Sequence, residues 1–111
     1  MKRVKISFDW WEAEVEIDES EKTLEIMRSQ IMFWMDGEKE LVRYDGNAEK
    51  AYLKMLGQEL LPMSREYNLS GILSEFEDLE GWAPLDGSFG VKLISVDSWY
   101  FEKNDIRLEQ L

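Results

Sequence analysis

Between Glu75 and Asp86 the chain carries five carboxylates (Glu75, Glu77, Asp78, Glu80 and Asp86) and no basic residue, with Phe76, Trp82 and Pro84 set among them. Carboxylates at this density could ligate a hard cation, act as a catalytic acid–base pair, or receive a basic partner. Ca²⁺ and Mg²⁺ accept oxygen ligands alone, so they are the metals such a loop could hold. The spacing does not suit them: Asp86-Gly87-Ser88 lacks the Asp-x-Asp-x-Asp-Gly run of a Ca²⁺ loop and its distal Glu. A glycosidase needs only two carboxylates at a set separation. With 24 acidic residues in 111, however, some suitable pair arises by chance, and the chain is short for a two-walled saccharide cleft. A small carboxylate-based hydrolase is therefore the weakest of the readings and names no residues.

Two absences narrow the chemistry further. The chain has no His and no Cys. That removes the commonest general base, Ser-His-Asp and Cys-His catalysis, disulfides and thiolate metal sites. There is no Gly-x-x-x-x-Gly-Lys and no Gly-x-Gly-x-x-Gly run to cradle a phosphate, and Gly81, Gly87 and Gly90 lie among acids that would repel one. No catalytic residue, metal ligand or cofactor follows from the sequence, and the expectation is a protein that is not an enzyme.

The charge balance, 13 basic against 24 acidic residues, points the same way. Contact with a phosphate backbone or an anionic membrane draws on Lys and Arg, so direct binding to either is not expected. A basic protein partner fits better. The excess of acid also admits a mimic of DNA, whose carboxylates would occupy the cleft of a nucleic-acid enzyme and inhibit it. That reading needs one continuous acidic face. Large aromatics are the other candidates for contact. Trp10 and Trp11 are consecutive at the tip of an expected hairpin, so a regular pleat points them to opposite faces and leaves one exposed. The candidate contact residues are thus Glu77, Asp78, Glu80, Trp82, Trp10 and Trp11, each weighed against a structural role: a solvated helix end for the acids, a core filler for each Trp.

The elements that would position these residues follow from periodicity. Val4, Ile6, Phe8 and Trp10 alternate with polar residues, as do Trp11, Ala13, Val15 and Ile17 beyond a turn, which predicts a hairpin with one wet face. Arg3 and Lys5 on one strand face Glu14 and Glu16 on the other. Ser20 or Thr23 caps a first helix whose Leu24, Met27, Ile31, Trp34 and Met35 form a stripe, with Trp34 in the core and Gly37 as its stop. Ile26 and Phe33 widen that stripe, so the helix is deeply buried or meets a second surface. Residues 37–46 read as a charged connector. Asn47 caps a second helix that Pro62 ends or kinks near Leu61, and Asn68 or Ser70 starts a short third one. Val91 to Val96 reads as a strand that is either covered on both faces or bulged near Leu93-Ile94. Trp99, Tyr100 and Phe101 extend the signal, Lys103-Asn104 suits a turn, and Ile106 and Leu108 predict a last, edge strand.

Phe76-Glu-Asp-Leu-Glu-Gly81, Leu85-Asp-Gly-Ser-Phe-Gly-Val-Lys-Leu93 and the opening Phe8-Asp with Glu-Ala-Glu-Val-Glu-Ile17 resemble a family of small bacterial and prophage-associated proteins of unknown function. The resemblance covers nearly the whole chain. It implies a compact α+β domain of bacterial or phage origin and transfers no functional residue.

The expected architecture is one α+β domain over residues 1–111: an antiparallel sheet of about four strands, in the order β-β-α-α-α-β-β along the chain, with helices on one face. Met1-Lys-Arg-Val-Lys-Ile6 has no apolar run behind its charges, and Ile31–Met35 is too short to cross a bilayer, so a soluble cytoplasmic protein with no membrane contact is expected. The wide arc of the first helix and the final strand are surfaces through which it could form a homo-oligomer. In function it is expected to be a small acidic protein-binding or accessory factor.

Overall fold

A computed structural model describes residues 1–34, 36–98 and 106–111. Strand β1 (Lys2–Phe8) and strand β2 (Trp11–Ile17) form the hairpin, with Phe8 opposite Trp11 and Lys2 opposite Ile17. Its two-residue turn is Asp9-Trp10. Asp9 holds φ +55° while Trp10 keeps a negative φ, the sign pattern of a type II′ turn, here built without the usual Gly. The alternation resolves as the period-two pattern requires. Trp11, Ala13, Val15 and Ile17 are all buried, whereas Val4 and Ile6 on β1 are half-buried.

Four helices follow among the described residues, where three were expected. Helix α1 (Glu21–Phe33) is capped by Ser20, whose side chain accepts from the Thr23 amide at 3.3 Å. Gly37 does not stop α1; it opens a short helix, α2 (Gly37–Arg43), inside the segment expected to be a connector. Gly is needed there for space, since a Cβ would lie 2.0 Å from the Ile31 carbonyl oxygen. Helix α3 (Ala48–Met63) takes its cap from Asn47 and runs through Pro62, ending at Met63 with Ser64 as its C-cap. Proline sits in the last turn, where its missing N–H removes a single bond. Helix α4 (Leu69–Asp78) is capped by the Asn68 side chain on the Gly71 amide at 2.9 Å.

Strand β3 (Val91–Val96) pairs antiparallel with β2, giving the sheet order β1-β2-β3. Its two parities are reconciled by a bulge. Val15 opposes Leu93 and Glu14 opposes Ser95, so Ile94 is the extra residue. The sheet thus has three strands among the described residues, one fewer than expected. Residues 106–111 are exposed and without regular structure, so Ile106 and Leu108 belong to no strand. Trp99, Tyr100, Phe101 and the Lys103-Asn104 turn lie outside the described residues. The fold is α+β. Its helices cover the apolar face of the sheet, where Met27, Ile31, Tyr52, Leu56, Leu60, Ile72 and Phe76 meet the β2 side chains in one core.

Trp11 joins three elements. Its Nε1–H donates to Ser64 Oγ at the end of α3 (3.0 Å) and to the Asp97 carbonyl just past β3 (2.9 Å). A buried indole needs such partners, because an unsatisfied donor costs about 1–3 kcal/mol. Trp11→Phe should lower unfolding free energy by about 2 kcal/mol in urea titration, combining lost bonds and lost volume. Ser64→Ala, which leaves the Asp97 carbonyl in place, should cost less than half as much.

Candidate functional site

The acidic stretch begins on the last turns of α4 and crosses to β3. Glu75, Glu77, Asp78, Glu80 and Asp86 are all exposed, and Ile72 and Phe76 are the α4 residues turned inward. Helical spacing explains the division: Phe76 follows Ile72 by four residues, which leaves the acids on the opposite arc. After α4 the chain makes a tight turn, in which the Trp82 amide donates to the Leu79 carbonyl at 3.2 Å and Gly81 adopts φ +86°. The Ala83 amide then donates to Gln30 Oε1 at 2.7 Å, tying the loop to α1. Residues 85–87 finish the crossing by pairing with the start of β3, through Leu93 N–H to Leu85 O (2.9 Å) and Gly87 N–H to Val91 O (3.0 Å).

Of the six contact candidates, the structure brings Glu77, Asp78 and Glu80 together at the surface and turns two of the tryptophans inward. Trp82 is 9 % exposed and lies in an aromatic box, with ring centroids 5.7 Å from Phe76, 5.8 Å from Tyr52 and 6.4 Å from Trp34. It is a core side chain, and its Nε1–H is a buried side-chain donor with no hydrogen-bond partner among the described residues. Trp11 is buried as well, for the reason given above. Trp10 occupies the hairpin turn at 48 % exposure.

Two residues with no place among those candidates stand beside the acids. Trp34 is not in the core: α1 ends at Phe33, Trp34 is its C-cap in an extended conformation, and the ring is 39 % exposed. It meets Phe33 edge to face, with centroids 5.2 Å apart, and Phe33 is 54 % exposed. Both rings lie over Gly81. A Cβ there would sit 2.7 Å from Phe33 Cε1 and 2.9 Å from Trp34 Cζ2. The result is an aromatic ledge over Gly81, the residue that follows Glu80 in the chain. The sequence signal for it was the wide apolar arc of α1, which pointed to a second surface without placing it.

A ledge of aromatic faces next to carboxylates can take a guanidinium or ammonium group. The ring faces attract the cation and the carboxylate pairs with it. The acids of β2 are engaged differently: Arg3 and Lys5 reach Glu14, Glu16 and Glu12 at 3.5–3.8 Å. Cations thus interrupt the acidic surface on the sheet's wet side, where a DNA mimic would need it unbroken. Among the described residues, no group of three or more acidic side chains is placed to hold a metal ion, and no helix is long and apolar enough to cross a membrane.

Ser88 holds Asp86 in the ionised form: its hydroxyl and its amide both donate to Asp86 Oδ1, at 2.5 and 2.9 Å, which lowers the carboxyl pKa. A lowered native pKa contributes stability above the unfolded value of about 4. That contribution disappears as pH falls through the native pKa. Ser88→Ala should therefore move the Asp86 pKa upward in an NMR titration and destabilise the protein at neutral pH but not in strong acid. Gly81→Ala should displace the ledge and cost about 1–3 kcal/mol, from the positive φ and the two rings together. Urea titration with Trp fluorescence reads both effects.

Residues 12–108 match the family model described as "Protein of unknown function (DUF2528)". The chain is 33 % identical over 118 residues to "Lambda prophage-derived protein ea10" of Escherichia coli O6:H1, an alignment covering 98 % of this chain and 96 % of that protein. It is equally similar, over the same span, to "Protein ea10" of Escherichia phage lambda. No solved structure matches. The chain belongs to the DUF2528 family.

Proposed function

We propose that this member of the DUF2528 family is a non-enzymatic accessory factor of phage origin. In this reading it works in the bacterial cytoplasm by binding a basic protein through the Phe33–Trp34 ledge and the adjoining carboxylates. The phage and prophage relatives support the origin. The observation that supports the contact is the pair of half-exposed aromatic rings seated on Gly81, which follows the exposed Glu77, Asp78 and Glu80 in the chain. Exposed aromatics rimmed by charge are the composition from which binding hot spots are built. An arginine of the partner would stack on the ledge and pair with Glu80, while Glu77 and Asp78 raise the rate of encounter with a basic surface. The absence of His and Cys favours binding over catalysis.

Two variants test this reading on immobilised protein in an Escherichia coli lysate, with captured proteins identified by mass spectrometry. Glu77→Lys/Asp78→Lys/Glu80→Lys should lose the basic partner. Phe33→Ser/Trp34→Ser should lose the same partner while leaving net charge unchanged. Capture that survives both contradicts the proposal. Loss in the charge variant alone reduces the contact to long-range attraction and contradicts the ledge.

A further inference from the structure

The opposite edge of the sheet has the reverse electrostatic character. β1 is the edge strand, and the pairing of β2 determines which of its backbone groups are used. The even-numbered residues of β2 turn their backbone toward β3: Asp97 N–H donates to Glu12 O at 2.9 Å, and Asp18 N–H donates to Gly90 O at 2.8 Å. Trp11, Ala13, Val15 and Ile17 therefore bond to β1, through their partners Phe8, Ile6, Val4 and Lys2. The N–H and C=O groups of Arg3, Lys5 and Ser7 are left pointing away from the sheet. No described residue bonds to them.

Those groups border a groove of about 490 Å³ between β1 and α3. Residues of both parities of β1, Ser7 as well as Ile6, line it, so the backbone edge forms one wall. α3 supplies the other wall, with Lys50, Leu53, Lys54 and Leu61 along it, and buried Trp11 also lines the groove. The two walls close where Gly57 meets Ile6, at a distance that leaves room for no larger residue: a Cβ there would be 2.9 Å from Ile6 Cγ2. Lys50 lies 5.9 Å from the centroid of the Tyr44 ring, and Lys54 has no ion pair among the described residues. In a chain of net charge −11, the groove is lined by Lys5, Lys50 and Lys54. Arg3 and Lys5 already meet Glu12, Glu14 and Glu16 on the wet face, which leaves Lys50 and Lys54 to a partner.

We propose that the β1 edge and this groove form a peptide-binding site, which takes an extended acidic segment of a partner protein as a fourth strand. Its backbone pairs with Arg3, Lys5 and Ser7, its apolar side chains enter the groove against Leu53 and Leu61, and its carboxylates meet Lys50 and Lys54. The charge pattern selects this occupant. β2 already shows what β1 accepts: an alternation of apolar residues with Glu12, Glu14 and Glu16. A second copy of β1 would set Arg3 and Lys5 against the same cations, and like charges across strands repel. This site lies apart from the Phe33–Trp34 ledge and does not depend on it.

The test uses the full-length protein labelled with ¹⁵N and three probes: a blocked peptide of sequence Glu-Ala-Glu-Val-Glu-Ile-Asp, its counterpart with Lys at every acidic position, and a thymidine oligonucleotide. The acidic peptide should bind saturably, shift the amide signals of Arg3, Lys5 and Ser7 most, and weaken roughly tenfold with Lys50→Glu/Lys54→Glu. Lys5→Pro removes one outward N–H without touching the β2 pairing and should also abolish binding, with the spectrum otherwise retained. Phe33→Ser/Trp34→Ser, which removes the ledge at unchanged net charge, should leave peptide affinity unchanged. The proposal is overturned if the acidic peptide fails to bind, if the Lys peptide binds as well, if the shifts avoid β1, or if the oligonucleotide takes the groove in preference.

Discussion

Burying the Trp11 indole inside so small a protein is tolerable only if its N–H finds an acceptor, and here two acceptors come from two other elements. Ser64 ends α3, and Asp97 ends β3; the ring itself closes the β1–β2 hairpin. Hairpin, helix and last strand are thereby fixed relative to one another at one end of the sheet. At the other end Gly90 plays the corresponding part. Its carbonyl accepts from the Asp18 amide, and its missing Cβ makes room for Thr23 in the first turn of α1. Between these two points β2 is the inner strand, buried at every second residue, and the remaining elements take their places from it.

That arrangement also sorts the charge. The apolar side of β2 faces the helices, so its glutamates are confined to the wet side, where Arg3 and Lys5 meet them. Each such surface pair is worth little in stability. Their larger consequence is to place cations along an edge strand, where positive side chains keep other basic edges away and leave acidic ones admissible. The α4 end of the molecule is built the other way. Its inward face is spent on Ile72 and Phe76, and its outward face holds acids beside two aromatics that the end of α1 leaves uncovered. One small fold therefore presents two surfaces of opposite sign.

Much of this was legible in the sequence, where local rules act alone. The hairpin alternates cleanly because only one face is covered. Ser20, Asn47 and Asn68 cap helices through side chains that reach their own next turn. The mixed parity of Leu93 and Ile94 admitted either cover on both faces or a bulge, and a bulge is present. What could not be read depends on distant neighbours. A glycine after an apolar stripe looks the same whether it stops one helix or begins the next, and Gly37 does the second because it packs on the Ile31 carbonyl. Trp34 lies on the stripe of α1, yet the helix ends just before it, so the periodicity no longer states which way the ring points. Trp82 sits among acids in sequence and among aromatics in space. The carboxylates were found by composition, while the ledge beside them required knowing that Gly81 returns to the end of α1.

Amide hydrogen exchange on the free protein tests the open cationic edge most directly, because it needs no partner. If the β1 edge is open, Val4, Ile6 and Phe8 exchange slowly through their bonds to β2, while Arg3, Lys5 and Ser7 exchange fast. Equal protection along β1 would mean that something in the chain already covers that edge, and would contradict the account.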